Sequence, residues 1–84
     1  MNSIFYTNKA AKQIRKLPSE DAKKIVSECK KLQSSPDCLN IKKLVNHEYG
    51  YRFLVGNYRV FFDFDGAIKI VTIEEVKKRD DRTY

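Results

Sequence analysis

Two arginines, Arg52 and Arg59, flank a predicted hairpin turn and have side chains suited to binding a phosphate. The intervening Gly56-Asn57 is a dipeptide typical of two-residue hairpin loops, and it sets Val55 opposite Tyr58. In that register the two arginines are diagonal neighbours on one sheet face, about 7–8 Å apart. Guanidinium groups on one surface repel each other, and a phosphate bound by both relieves the repulsion. The alternative is that each arginine forms an ion pair with a nearby carboxylate, namely Asp63, Glu74 or Glu75.

The same register divides the predicted strands into an apolar face and a mixed face. It assumes a second two-residue turn at Asp65-Gly66, which sets Phe64 opposite Ala67. The apolar residues then form a core face, which we expect a helical hairpin to cover: Tyr51, Phe53, Val55, Tyr58, Val60, Phe62, Phe64, Ala67, Val71 and Ile73. The mixed face carries the two arginines among polar and apolar neighbours: Leu54, Phe61, Asp63, Ile68, Ile70, Thr72 and Glu74.

His47 is the one histidine of the chain, and its position in a predicted loop leaves two interpretations open. An imidazole titrates near neutral pH and can act as a general acid or base, whereas a solvated loop histidine has no such role. Cys29 is predicted to be a small core residue, and Cys29 and Cys38 form no C-x-x-C motif. The sequence therefore predicts no metal site and no cofactor, and the absence of a glycine-rich phosphate loop argues against nucleotide binding.

The last residues of the chain combine basic side chains with an aromatic one. Tyr84 is placed to stack on a base while phosphates are contacted by Lys77, Lys78, Arg79 and Arg82. That combination is typical of single-stranded RNA binding. The alternative is a frayed and solvated C-terminus.

Hydrophobic periodicity predicts the elements that hold these residues. Strands are expected over residues 2–6, 51–55, 58–64 and 68–74, helices over 8–17 and 19–34, and a shorter strand or linker over 41–45. Thr7 or Asn8 is expected to cap the first helix and Ser19 the second. The second helix has one apolar stripe, formed by Ala22, Ile25, Val26, Cys29 and Leu32. The pattern predicts an α+β fold, with an N-terminal strand and a helical hairpin packed on an antiparallel β-meander.

Length and composition bound the class of protein. The chain has 84 residues, enough for one small domain, and 17 basic against 11 acidic side chains give a net charge of +6. The basic excess suggests a polyanion or an acidic protein as partner, although lysines on helix surfaces are often only solvated. No apolar stretch is long enough to span a membrane, and the N-terminus lacks the pattern of a signal peptide, so we expect a cytoplasmic protein.

The order of these elements and several short motifs resemble the RelE/ParE toxins of bacterial and archaeal toxin–antitoxin modules. The motifs are Lys43-Leu44, Gly50-Tyr51-Arg52, the hairpin Val55-Gly56-Asn57-Tyr58-Arg59-Val60, and Lys78-Arg79 with a closing Tyr84. Lys12 and Leu17 fit the end of the first helix in that family. The resemblance covers nearly the whole chain and implies a single RelE-like toxin domain over residues 1–84, with the RelE-like microbial RNase fold.

A RelE-like toxin is a ribosome-dependent mRNA endonuclease that cuts in the A site by attack of a 2′-hydroxyl on the adjacent phosphate, without a metal ion. Such a reaction needs a base, cations for the phosphorane charge and a proton donor for the leaving oxygen. The catalytic residues that the resemblance implies are Arg59, Arg79, Arg52, Lys78 and Tyr84. The predicted RNA-binding residues are Lys12, Arg15, Lys43, Lys77 and Arg82.

The implied roles follow the motifs residue by residue. Arg59 aligns with the arginine that stabilises the phosphate, and Arg79 with the arginine near the leaving group. Arg52 stands at the first of two strand lysines, and Tyr84 at the tyrosine that stacks on or orients the RNA. Many active members have a second cation where this chain has Leu54, and a histidine where it has Lys78. Proton transfer would then fall to Lys78 or to His47.

The resemblance also implies partners, and it leaves a second function open. The expected partners are a cognate antitoxin, the ribosomal A site with its rRNA, and mRNA. The free toxin is expected to be a monomer, which forms a hetero-oligomer with the antitoxin. The alternative is a ParE-like inhibitor, which has the same fold and poisons DNA gyrase without doing chemistry. The basic set favours the endonuclease, whereas Leu54 and the missing histidine favour the inhibitor or a weakened enzyme.

Overall fold

The computed structural model describes residues 2–34 and 41–78. The elements in chain order are β1 Ser3–Tyr6, α1 Asn8–Arg15, α2 Ser19–Cys29, a 3₁₀ turn Lys30–Ser34, β2 Ile41–Lys43, β3 Tyr51–Val55, β4 Tyr58–Asp65 and β5 Ile70–Lys78. The predicted α+β fold is confirmed. The predictions for Cys38, Arg79, Arg82 and Tyr84 lie outside the described residues.

A five-stranded mixed sheet forms the body of the domain, in the order β1-β5-β4-β3-β2. Strand β3 pairs antiparallel with β2 and with β4, and β4 pairs antiparallel with β5, as the predicted meander requires. The N-terminal strand β1 joins the far edge parallel to β5, with Ile4 opposite Val71 and Tyr6 opposite Ile73. The first and last described strands of the chain are therefore hydrogen-bonded neighbours, which ties the N-terminal half to the sheet.

The two predicted hairpin turns differ in outcome. The Gly56-Asn57 turn is confirmed, with Val55 opposite Tyr58 and Gly56 at a φ of 54°, in the left-handed region that glycine adopts without strain. The two-residue turn at Asp65-Gly66 is wrong, because Asp65 is still paired with Ile70 and Phe64 faces Val71 rather than Ala67. The connection therefore consists of the four residues 66–69. The Asp65 carboxylate stabilises it by accepting hydrogen bonds from the amides of residues 67 and 68 (2.9 and 3.3 Å).

A β-bulge interrupts β5 where it passes β4. Phe61 is opposite Glu75 while Phe62 is opposite Ile73, so Glu74 is the extra residue. Glu74 and Glu75 consequently project from the same face of the sheet. After the bulge the alternation is reset, and Val76 is buried at 6% exposure while Lys77 is exposed.

The two helices cover one face of the sheet and bury the core there. The fully buried large side chains are Phe62, Ile25, Leu32, Ile73, Val60, Val71 and Cys29. Val26 is the exception in the apolar stripe predicted on α2, because it is 37% exposed.

Thr7 caps α1 by accepting a hydrogen bond from the Ala10 amide (3.1 Å), as predicted. The predicted cap at Ser19 is wrong, because α2 begins at Ser19 and the preceding Pro18 makes no side-chain cap.

No helix of the part of the chain that the structure describes covers the opposite face of the sheet, and we call this the outer face. It carries Lys42, Arg52, Leu54, Arg59, Phe61, Asp63, Glu74, Glu75 and Lys77. None of the helices in the described part of the chain is long and apolar enough to span a membrane.

Candidate functional site

The predicted arginine pair lies at the centre of the outer face. Arg59 is directly opposite Leu54, and Arg52 is directly opposite Phe61, so the two arginines are diagonal neighbours as the turn predicted. The Nε atoms of both side chains are buried and have no hydrogen-bond partner among the described residues. Within residues 2–34 and 41–78, neither guanidinium forms an ion pair with a carboxylate. The alternative in which each arginine is neutralised by Asp63, Glu74 or Glu75 is therefore wrong for the described residues.

Two of the three carboxylates are occupied by donors other than the arginines. An oxygen of Asp63 accepts the Gly50 amide (2.7 Å), and a Cβ at Gly50 would meet that oxygen at 3.1 Å. One oxygen of Glu75 accepts from Lys9 Nζ (2.7 Å) and the Tyr49 hydroxyl (3.1 Å), and the other lies 3.2 Å from Lys77 Nζ. The third carboxylate, Glu74, shares a hydrogen bond with Asp63. Among the described residues, no carboxylate therefore neutralises the charge of the arginine pair.

The two glutamates of the bulge have opposite electrostatic environments. The Lys9 ammonium holds the pKa of Glu75 below its usual range, and Lys77 and Tyr49 add to this effect. Burial raises the pKa of Glu74, and a hydrogen bond shared with Asp63 raises it further. Glu75 is therefore a stable anion that organises cations around it, whereas the protonated form is favoured more at Glu74 than at an exposed glutamate.

The loop between β2 and β3 folds back over the outer face. The Leu44 amide donates to the Gly50 carbonyl (2.8 Å), which closes the loop into a compact turn. The His47 ring stacks on Phe61 with centroids 5.3 Å apart and planes 11° apart, and Tyr49 packs on the same phenyl ring at 5.8 Å. Phe61 is consequently only 7% exposed although no helix covers it.

The N-terminal helix completes the site from the edge of β5. Past Ile73 the β5 edge is no longer paired with β1, and polar side chains of α1 take over its hydrogen bonds. Thr7 Oγ1 donates to the Glu74 carbonyl (3.3 Å), and the Val76 amide donates to Gln13 (2.7 Å). This docking brings Lys9 to Glu75.

The structure brings some predicted site residues together and separates others. Lys77 is directly opposite Arg59, and the predicted Lys12 lies one helical turn beyond Lys9. Arg15 is exposed near the end of α1. Lys43 is opposite Tyr51 and so projects from the helix-covered side, whereas its neighbour Lys42 is opposite Arg52 on the outer face.

Lys78 is not beside Arg59. It pairs with Tyr58 on the helix-covered side and lines a cleft of about 200 Å³ with Lys24 and Asp21. The Tyr58 hydroxyl donates to Asp21 in this cleft (2.6 Å), and that hydrogen bond raises the pKa of Tyr58. Lys78 thus belongs to a different surface from the arginine pair.

Sequence reasoning did not place Lys9, Lys42 and Tyr49 around the arginines, and it named Glu75 only as an alternative ion-pair partner for them. Only the pair Glu74-Glu75 carried a readable signal, because two polar residues between Ile73 and Val76 break the strand alternation.

The arrangement as a whole can bind an extended polyanion, with four cations on one surface and aromatic rings beside them. No cluster of three or more metal-ligating side chains occurs within residues 2–34 and 41–78.

Comparison with solved structures places this fold among RelE toxins. The chain is similar to RelE of the archaeal RelE–RelB complex from Pyrococcus horikoshii, with a TM-score of 0.79, 20% identity, and coverage of 95% of this chain and 97% of that one. It is also similar to the isolated E. coli RelE toxin, with a TM-score of 0.80, 19% identity, and coverage of 99% and 89%. The RelBE2 toxin–antitoxin complex of Mycobacterium tuberculosis gives a TM-score of 0.79, 22% identity, and coverage of 93% and 98%.

Sequence comparison gives the family. No curated protein matches the sequence. The family model described as the ParE toxin of the type II toxin–antitoxin system, parDE, matches residues 4–82. That match covers nearly the whole chain, and the chain therefore belongs to the ParE toxin family of type II toxin–antitoxin systems, within the RelE/ParE superfamily.

Proposed function

We propose that this toxin is a metal-independent RNA endonuclease that cleaves mRNA in the ribosomal A site and so inhibits translation. The observation that carries the proposal is the arginine pair on the outer face, whose buried Nε atoms have no hydrogen-bond partner in the described part of the chain. An arginine that is paired with a carboxylate stabilises the folded structure, whereas an unpaired arginine is free to bind an anionic group of the substrate. The likeness to RelE toxins supports the same reading, because those proteins share the sheet that holds the pair.

The proposed chemistry is attack of a ribose 2′-oxygen on the adjacent phosphorus. The P–O5′ bond breaks, a 2′,3′-cyclic phosphate forms, and the 5′-oxygen leaves with a proton as a hydroxyl. Arg59 and Arg52 donate to the non-bridging oxygens, where negative charge accumulates in the transition state. Lys77, opposite Arg59, and Lys42, opposite Arg52, extend the same surface toward the flanking phosphates. Arg79 near the leaving group and Tyr84 on the RNA remain predictions from the resemblance.

Proton transfer by Lys78 does not fit this geometry. Its ammonium projects from the side of β5 that faces α2, away from the arginines on the outer face. Lys78 is better placed to contact a neighbouring part of the RNA or of the ribosome than to act on the scissile phosphate. His47, in contrast, lies on the outer face.

We further propose that the toxin acts in the cytoplasm and is held inactive by a cognate antitoxin. Four of the similar solved structures are described as RelB–RelE, RelBE or RelBE2 toxin–antitoxin complexes. An acidic antitoxin segment laid over the outer face would neutralise the unpaired cations and block the RNA.

Inhibition of DNA gyrase without chemistry is the second candidate function. Two observations favour it: the family model carries the ParE description, and Leu54 takes the position across from Arg59 where another cation would sit. An apolar side chain there lowers the charge available for phosphate chemistry.

Primer extension on an mRNA translated in a purified system separates the two candidates. We expect cuts inside codons only when both ribosomes and the toxin are present. Arg59→Ala should abolish the cuts, whereas Lys23→Ala, which removes an exposed cation from α2, should leave them unchanged. Intact mRNA in the presence of the folded parent protein would refute the endonuclease, and inhibition of gyrase supercoiling by the same preparation would establish the second function.

A further inference from the structure

The ring of His47 is an exposed aromatic surface held in a fixed orientation beside the arginine pair. One face of the imidazole lies on Phe61 at 5.3 Å with nearly parallel planes. The Tyr49 ring packs beside the imidazole at 5.9 Å with planes 46° apart. His47 as a whole is nevertheless exposed, and within residues 2–34 and 41–78 no ring other than Phe61 and Tyr49 packs on it, so we take the ring face opposite Phe61 as the one available to a ligand. A flat ring with one face supported and the other open is the form that a stacking platform takes.

Four contacts of the loop fix this orientation. The Tyr49 amide donates to His47 Nδ1 (3.0 Å), and the Tyr49 hydroxyl is bound to the buried Glu75 (3.1 Å). The base of the loop is closed by Leu44 on Gly50, and Gly50 is bound to Asp63 (2.8 and 2.7 Å). The ring is therefore preorganised before any ligand arrives, which reduces the entropy lost on binding.

The same contacts make His47 a poor candidate for the general base. Because Nδ1 accepts the Tyr49 amide, the neutral ring carries its proton on Nε2. The nitrogen at the open edge is then a donor, and it has no lone pair with which to accept a proton from a 2′-hydroxyl. What the ring offers a ligand is its open face and one N–H group.

The His47 ring lies close to the arginines that are proposed to bind phosphate, because the Phe61 beneath it is a near neighbour of both. Phe61, beneath His47, is directly opposite Arg52 and two residues along β4 from Arg59. Two residues of strand span about 7 Å, which is within the reach of one nucleotide between its phosphate and its base. A nucleotide whose phosphate lies between the arginines can thus place its own or the adjacent base on His47.

We propose that His47 is a base-stacking residue, which holds a nucleobase of single-stranded RNA against its open face while Arg52 and Arg59 hold the adjacent phosphate. This inference rests on the proposed function, because it takes RNA as the substrate. It assigns the ring a positioning and affinity role in place of acid–base chemistry. Stacking is tolerant of sequence because every base has a π-face, so His47 contributes to affinity for all bases.

Two substitutions of His47 separate stacking from acid–base chemistry. His47→Phe keeps a ring face and removes both nitrogens, whereas His47→Gln removes the ring and keeps a polar side chain. Stacking predicts that RNA affinity is retained in His47→Phe and falls about 5- to 150-fold in His47→Gln, the range for loss of one base–aromatic stack. Acid–base chemistry predicts loss of cleavage in both variants with little change in affinity.

The probe is a short single-stranded RNA that carries 2-aminopurine, whose fluorescence is quenched when the base stacks. Titrations would be made with the parent, the two His47 variants, Arg59→Ala and Val45→Ala. Val45 lies in the same loop and is 80% exposed, so it controls for changes to the loop surface. Circular dichroism and thermal unfolding would show that each variant is folded.

The expected result is quenching by the parent, His47→Phe and Val45→Ala, with quenching and affinity lost together in His47→Gln. Retention of both by His47→Gln, equal loss in both His47 variants, or no quenching by the parent would overturn the inference. Unchanged RNA affinity in Arg59→Ala would instead refute the arginine site of the proposed function, while quenching that still depends on an aromatic residue 47 would leave the platform standing.

Discussion

Replacing Arg59 by methionine should stabilise the folded protein. Most substitutions of partly buried residues lower the free energy of unfolding, by about 1 kcal/mol on average. Arg59 is an exception because its Nε is buried and has no hydrogen-bond partner within residues 2–34 and 41–78. Arg52, whose Nε is unsatisfied in the same way, is its diagonal neighbour. Methionine keeps an unbranched apolar side chain that can follow the path of the arginine methylene groups. It removes both the unsatisfied Nε donor and the charge repulsion between residues 59 and 52.

The expected gain can be worked from these contacts. A buried donor left unsatisfied costs about 1–3 kcal/mol. Arg59 is only half-buried, so water reaches part of its guanidinium, and the lower end of that range applies. We expect Arg59→Met to raise the free energy of unfolding by about 1 kcal/mol, which corresponds to roughly 4–8 °C in Tm for a domain of this size.

Urea and thermal unfolding in chloride and in inorganic phosphate, at equal ionic strength, provide the assay. Phosphate bound between the arginines stabilises the parent by about 1.4 kcal/mol at a concentration ten times its Kd, and this increment should shrink in Arg59→Met. The control is Lys23→Met, an exposed helix cation, which should change stability by less than about 0.5 kcal/mol in either buffer.

Two results would refute the reasoning. If Arg59→Met lowered the free energy of unfolding by about 1 kcal/mol or more, the usual cost of a substitution, the arginine would have a compensating partner in the fold. If phosphate stabilised the parent and the variant equally, the anion would bind elsewhere, and the unpaired Nε atoms would have no bearing on function.

The remaining predictions concern the bulge, the helix caps and the core. Glu75→Gln should destabilise at neutral pH, and its deficit should vanish as pH falls through the lowered pKa of Glu75, below the ordinary glutamate range; urea midpoints across acid pH would show this. Glu74→Gln should do the reverse, stabilising at neutral pH and losing its advantage as pH falls below the raised pKa of Glu74. Thr7→Ala should cost about 0.5–2 kcal/mol in chemical unfolding, whereas Ser19→Ala, which removes no cap, should be nearly neutral. Phe62→Ala should lower the free energy of unfolding by about 3–5 kcal/mol, a large part of the roughly 4–13 kcal/mol expected for 84 residues. In a thermal unfolding experiment, the variant should melt at a much lower temperature than the parent or show no cooperative transition.

The position of the arginine pair could be predicted because a local signal fixed it. Gly56-Asn57 admits a two-residue turn with a positive φ, and once that turn is placed the alternation of β3 and β4 leaves one register. The core face followed from the same alternation. Local chemistry that determines a register therefore carries over directly into the geometry of the site.

The second turn failed because its determinant was not in the dipeptide. Asp65-Gly66 is a hairpin signal, but the Asp65 carboxylate caps two amides of the loop and Lys69 takes a φ of 55°. A lysine in the left-handed region has no sequence signature. The parallel pairing of β1 with β5 was equally invisible, because it joins strands more than 60 residues apart in the chain.

The loop over the outer face was missed for a similar reason. Its residues lack the periodicity of a helix or strand, and their positions depend on contacts with Phe61, Asp63 and Glu75, which lie on other strands. Sequence alone therefore left His47 as a solvated loop residue or an acid–base group. Only the ring stack and the Nδ1 contact distinguish a third role.

The bulge at Glu74 decides which lysine accompanies Arg59. A regular strand continued from Ile73 would turn Val76 toward solvent, Lys77 toward the helices and Lys78 to the outer face. The one-residue insertion lets Val76 enter the core at 6% exposure, and Lys77 takes the position across from Arg59. The burial of one apolar side chain thus sets the charge pattern of the opposite face. The role that the resemblance implies for Lys78 therefore falls on a side chain on the other side of the sheet from Arg59, because the register changes between the motif that contains Arg59 and the C-terminal motif.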